Sequence, residues 1–175
     1  DISGSSWGDT EFQNALDVFA EQVSNGQIRN IKGNSYADDL KNEDTLAAIV
    51  WSGDITAINY EVGDKFAFAL PDSGGTLWSD NFMIPIGSQQ KGNVEKLIDY
   101  YYDPLVAAEV AAWVNYITPV AGAQEAMAEI DPEQVENQLI FPDEATLAQA
   151  HIFRTLTNEE QQKYNSEFEA VGLGA

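Results

Sequence analysis

The run Leu46-Ala47-Ala48-Ile49-Val50-Trp51 most constrains what this chain can fold into. It is compact and apolar, as a buried strand is, and it stops at Ser52-Gly53-Asp54, a strand-to-helix turn leading into Ile55–Tyr60. Lys65 to Leu70 reads as a second strand. The glycine turn at Gly74-Gly75 then opens an extended segment that runs through Phe82 and Ile84. Gln27 to Lys32 reads as a shorter extended piece. Helix signals fill the intervals. Thr10 with Gln13 forms a capping-box pattern ahead of Phe12, Leu16, Phe19 and Val23, and Ser35–Leu40 is a short acidic helix. Asp103-Pro104 separates a helix at Asn93–Tyr102 from one at Pro104–Asn115, supplying a cap and an N1 proline. Tyr116-Ile117-Thr118-Pro119 is a break. Shorter helices are expected near Ala121–Ala128, Pro132–Asn137 and Glu144–Phe153, and a last one at Asn158–Val171 with Thr157 and Glu160 as its capping box. Strands alternating with helices place the chain in the α/β class.

Charge then narrows the function. Eight Lys and Arg stand against 29 Asp and Glu, a formal net charge of −21. A nucleic-acid surface needs a basic footprint, so that class is set aside. The acidity favours solubility and steers cations toward the molecule. A hydrophobic content of 44% is too rich for a disordered acidic tail. Without cysteine there is no disulfide, thiolate zinc site or cysteine nucleophile. No apolar run reaches the length of a membrane span; the longest, Leu105–Val114, contains Glu109. The chain opens on Asp1 with helix-forming sequence close behind, and it is expected to be an internal piece of a longer protein.

Among candidate sites, Trp78 and Asp80 stand out. On an extended backbone, positions i and i+2 project from the same side, so an aromatic face and a carboxylate share one space. Together they suit an amine, through the ring quadrupole and the charge. A core Trp beside a solvated turn Asp satisfies the same residues. His151, the sole histidine, falls in the expected Glu144–Phe153 helix with no serine nucleophile motif, and a packing or surface role outweighs catalysis. Asp38-Asp39 and Glu43-Asp44 lack the spacing and glycine of a calcium loop, and read as a solvated face. Gly74-Gly75 lacks the Lys-Ser/Thr of a phosphate loop. Consecutive Tyr100, Tyr101 and Tyr102 diverge by about 100° each on a helix, so they cannot share one ligand face.

Taken together, Val50-Trp51-Ser52-Gly53-Asp54, Leu70-Pro71-Asp72-Ser73-Gly74-Gly75-Thr76-Leu77-Trp78-Ser79-Asp80-Asn81, Ile84-Pro85, the helix pair around Asp103-Pro104 and Asn115-Tyr116-Ile117-Thr118-Pro119 resemble one family. The pattern is similar to the spermidine/putrescine-binding proteins of bacterial ABC importers, which have the type II periplasmic solute-binding fold. The resemblance implies two α/β lobes closing on ligand, in chains roughly twice this length, as a two-lobed protein would be. This chain would then be the C-terminal half. Residues 1–79 would form the α/β core of the second lobe, 80–116 an excursion toward the first lobe, and 117–175 second-lobe helices. The resemblance also implies a non-enzyme with no cofactor and no metal, bound to a polyamine and docking on membrane permease subunits. Its setting would be extracytoplasmic, periplasmic or lipid-anchored. By the same resemblance Trp51, Trp78 and Tyr116 are aromatic walls and Asp80 is the amine anchor. Phe153 falls where some members carry a polar ligand contact, which makes it the position where specificity is expected to differ. A second acidic anchor would lie upstream of Asp1. With the sister lobe absent, the apolar faces at Leu97, Val106 and Val110 are expected to drive a dimer or domain swap. Alternatives from other classes are the same fold on a ferric ion or another small cation, and an acidic carbohydrate-active enzyme with paired carboxylates.

Overall fold

The computed structural model describes residues 7–172. The described residues divide into two compact units, one made of residues 7–36, 74–78 and 151–172, the other of residues 37–73 and 79–150.

The first unit is built on two helices, α1 (Asp9–Ser24) and α8 (Asn158–Gly172). Leu16 and Tyr164 are their buried residues. The Phe12 and Tyr164 rings stack at 4.1 Å, and Phe19 meets Phe168 edge-on at 5.9 Å. These are the apolar positions whose helical spacing marks α1 in the sequence. Its cap lies two residues earlier than expected. Gly8, not Thr10, is the N-cap, and its N–H donates to Glu11 Oε2 at 2.8 Å. α8 begins as expected: Glu160 N–H donates to Thr157 Oγ1 and Thr157 N–H to Glu160 Oε2, a reciprocal capping box.

In the second unit α2 (Tyr36–Lys41) and α3 (Ser52–Val62) precede α4 (Lys91–Tyr101) and α5 (Pro104–Val114). Asp103 caps α5 through Oδ1, which accepts from the Leu105 and Val106 N–H groups, with Pro104 in the first turn. α6 (Ala123–Ile130), a 3-10 turn at Pro132–Gln134 and α7 (Glu144–Ala148) follow. The core forms where Ala107, Ala108 and Ala111 of α5 meet Ala123 and Met127 of α6, with Ile140 closing it. Alanines let the two backbones approach closely, and Met127 fills what remains. Of the three tyrosines, Tyr101 packs edge-on to Phe82 at 5.3 Å while Tyr100 and Tyr102 stay exposed, as helical divergence requires.

The expected strands are the main departure. Among the described residues the only ladder joins β1 (Gly75–Thr76) to β2 (Ala150–His151). Leu46–Trp51 forms none, and Leu46 and Ile49 are 93% and 90% exposed. Lys65–Leu70 keeps strand alternation, with Phe66, Phe68 and Leu70 half-buried and Ala67 and Ala69 exposed, yet pairs with no strand. The Asn59 side chain takes a neighbouring strand's place: its Nδ2 donates to Phe66 O at 2.8 Å and its Oδ1 accepts from Phe66 N–H at 3.1 Å. Gln27–Lys32 is likewise not a strand. A strand's conformation is local but its hydrogen bonds are not, and these segments have no ladder neighbour. The expected Glu144–Phe153 helix ends at Ala148, so His151 sits in β2 rather than on a helix.

Candidate functional site

The N-terminus of α3 carries the densest chemistry of the second unit. Trp51 is its N-cap residue, with extended backbone at φ −75° and ψ 136°, and it remains 45% exposed. Ser52, Gly53 and Asp54 form the first turn, where Asp54 N–H reaches Trp51 O at 3.2 Å. Tyr116 comes to this turn from the far end of α5. A Cβ on Gly53 would lie 2.6 Å from Tyr116 Cε2 and 2.7 Å from the Val114 carbonyl oxygen. Only a residue without a side chain admits that approach. The Tyr116 hydroxyl donates to Asp54 Oδ1 at 3.3 Å.

The structure thus gathers Trp51 and Tyr116, both expected from sequence, about one helix start, and adds Asp54, which no sequence motif singles out as a site residue. Asp54 is separated from Tyr116 by 62 positions. The glycine of Trp51-Ser52-Gly53-Asp54 was the one sequence signal of a close approach there. Asp80 belongs to the same unit and is exposed. Trp78, 43% exposed, belongs to the first unit, as does Phe153, two residues beyond β2 and exposed. Both follow the β1–β2 ladder, which Leu77 N–H extends by donating to His151 O at 2.8 Å.

A recess of about 270 Å³ also lies along α3, lined among others by Ile55, Asn59, Tyr60, Phe66 and Phe68. None of the expected site residues lines it. One of its walls is the half-buried face of the unpaired Lys65–Leu70 segment, so it reads as incomplete packing between that segment and α3. Among the described residues, no group of three or more His, Asp or Glu side chains is placed to hold a metal ion.

Residues 3–142 match the family described as bacterial extracellular solute-binding protein. The chain belongs to that family. The solute-binding proteins are binders rather than enzymes, and a helical chain with a short ladder is compatible with their α/β class. Relatives include the "Spermidine/putrescine-binding periplasmic protein" of Salmonella typhimurium strain LT2, 30% identical over 100 residues, which are 57% of this chain and 28% of that protein. Its namesake from Escherichia coli K12 is 28% identical over 99 residues, 57% of this chain and 27% of the relative. The "Putrescine-binding periplasmic protein PotF" of the same bacterium is 29% identical over 121 residues, 66% of this chain and 32% of the relative. The matched segments of this solute-binding chain therefore cover less than a third of the length of each of these relatives. No helix among its described residues is long and apolar enough to cross a membrane.

Proposed function

We propose that this chain is part of the extracytoplasmic solute-binding component of an ABC importer for polyamines, held in the periplasm or by a lipid anchor, and delivering ligand to membrane permease subunits. In this reading residues 1–79 supply the α/β core of one lobe, 80–116 cross toward the other, and 117–175 return as helices. Trp51, Trp78 and Tyr116 are the aromatic walls, Asp80 is an amine anchor, Phe153 tunes specificity, and Asp54 joins the site. The names of the relatives support the ligand class.

The observation that carries the reading is the Tyr116–Asp54 contact on the Trp51 turn, with Gly53 left bare beneath the ring. Polyamine amines titrate well above neutral pH, so the ligand arrives with several charges. Enclosing such a cation requires carboxylates within hydrogen-bond reach. The phenol donates its proton to Asp54, and a phenol oxygen is chemically suited to accept from an ammonium N–H. Aromatic faces add about 0.5–2 kcal/mol for each good cation–π contact.

An amide and indole NMR titration with spermidine, matched against NaCl and magnesium chloride, tests this. Saturable shifts at the Trp51 indole N–H that magnesium does not reproduce are the expected result. Diffuse shifts erased by salt would mean that spermidine senses only the net charge. The reading also includes association between copies through exposed apolar residues of α4 and α5.

A further inference from the structure

We infer that Asn115 is the positioning residue of the Tyr116 ring, acting through its left-handed backbone. Asn115 ends α5 with φ 58° and ψ 37°, and only Glu43 shares a positive φ among the described non-glycine residues. It is 5% exposed. Its N–H closes the last helical turn on Ala111 O at 2.8 Å, and its Nδ2 makes a long bond to Trp113 O at 3.3 Å. Its Oδ1 is buried with no hydrogen-bond partner. A buried acceptor left unmatched costs free energy, so the amide is a poor reason to keep this side chain here. The backbone is a better one. Asparagine is the side chain that most readily visits the left-handed region, where a Cβ otherwise crowds the carbonyl.

That single residue turns the chain out of α5 and delivers the next one, Tyr116, onto Gly53. The fit leaves no slack, since the Val114 carbonyl and the Tyr116 ring already occupy the volume of the missing Gly53 Cβ. Asp54 then fixes the ring's far end through the hydroxyl. Three restraints from two segments converge on one ring: the left-handed turn, the bare glycine and the carboxylate. The effect on ligand rests on the polyamine reading; the effect on the ring does not.

The test therefore has two readouts. In ligand-free protein, a nuclear Overhauser contact between the Tyr116 ring protons and Gly53 Hα reports the ring's place. Calorimetry with spermidine reports affinity. Asn115→Gly, which takes the left-handed region freely, keeps the ring contact and binds within about twofold of the parent. Asn115→Ala loses the ring contact and binds about fivefold or more weakly, because the competent ring position becomes a minor state. An Asn115→Ala protein that keeps contact and affinity overturns the inference. So does an Asn115→Gly protein that loses the ring contact, a result that decides the matter alone if Asn115→Ala does not fold. A parent protein that shows the ring contact but ignores spermidine sinks the polyamine reading and leaves the positioning role standing.

Discussion

Arg154 presents its donors in one plane, and the first unit uses that plane fully. Nη1 and Nη2 grip the Glu160 carboxylate at 3.0 and 2.7 Å, Nε donates to Trp7 O at 2.9 Å, and the guanidinium lies 4.4 Å from the centroid of the Trp7 ring. The Arg154 hydrogen bond is the main reason the Glu160 carboxyl is held down at about 2, with the Thr157 N–H next. The Asp9 hydrogen bond to Tyr164 likewise pushes that phenol up to about 12. A carboxyl depressed on folding stabilises the folded state above its ordinary range near pH 4.5 and loses that contribution as pH falls toward 2. Thermal unfolding followed from pH 6 to pH 2 is therefore expected to decline more steeply in the parent than in Glu160→Gln (about pH 2–5 being the window that matters). Parallel curves would show that the pair adds nothing. The pattern Thr157-x-x-Glu160 was readable in the sequence because a capping box is local. Arg154 reaching back to Trp7 was not, since 147 positions separate them.

At the scale of elements, α5 shows how far sequence reasoning reaches. Its start is written in Asp103-Pro104 and its end just before the break at Tyr116, and the expected helix Pro104–Asn115 differs from the observed Pro104–Val114 by one residue. Helical hydrogen bonds join residues four apart, so caps and spacing suffice to place them. Leu46–Trp51 and Lys65–Leu70 have strand composition, but a ladder depends on neighbours that no local pattern names. The site divides the same way: Trp51 and Tyr116 were legible as residue types, whereas Asp54 entered only through a contact made by folding. The seam between α5 and α6 gives a sharp expectation. Ala107 is fully buried there among Ala123 and Met127, so Ala107→Leu forces an overpacked core and costs about 1–3 kcal/mol in urea unfolding. An unchanged midpoint would mean that the seam has room to spare.

The whole molecule sets a high net charge against unpartnered apolar surface. Leu97 on α4 is 61% exposed and Trp113 on α5 is 87% exposed, while Val106 and Val110 are already half-buried. Apolar burial favours association; a charge of −21 on each copy opposes it, and salt screens only the second. Light scattering is therefore expected to find a dimer whose fraction grows with NaCl, and a monomer at every salt concentration would remove association from the reading. The bare Gly53 beneath Tyr116 has a consequence for descent and for engineering. A library randomised across Trp51-Ser52-Gly53-Asp54 and screened for folded protein should return glycine at position 53 almost without exception. New ligand preferences would then have to be drafted at its neighbours, leaving that one letter as the fixed point around which a lineage of binders diverges.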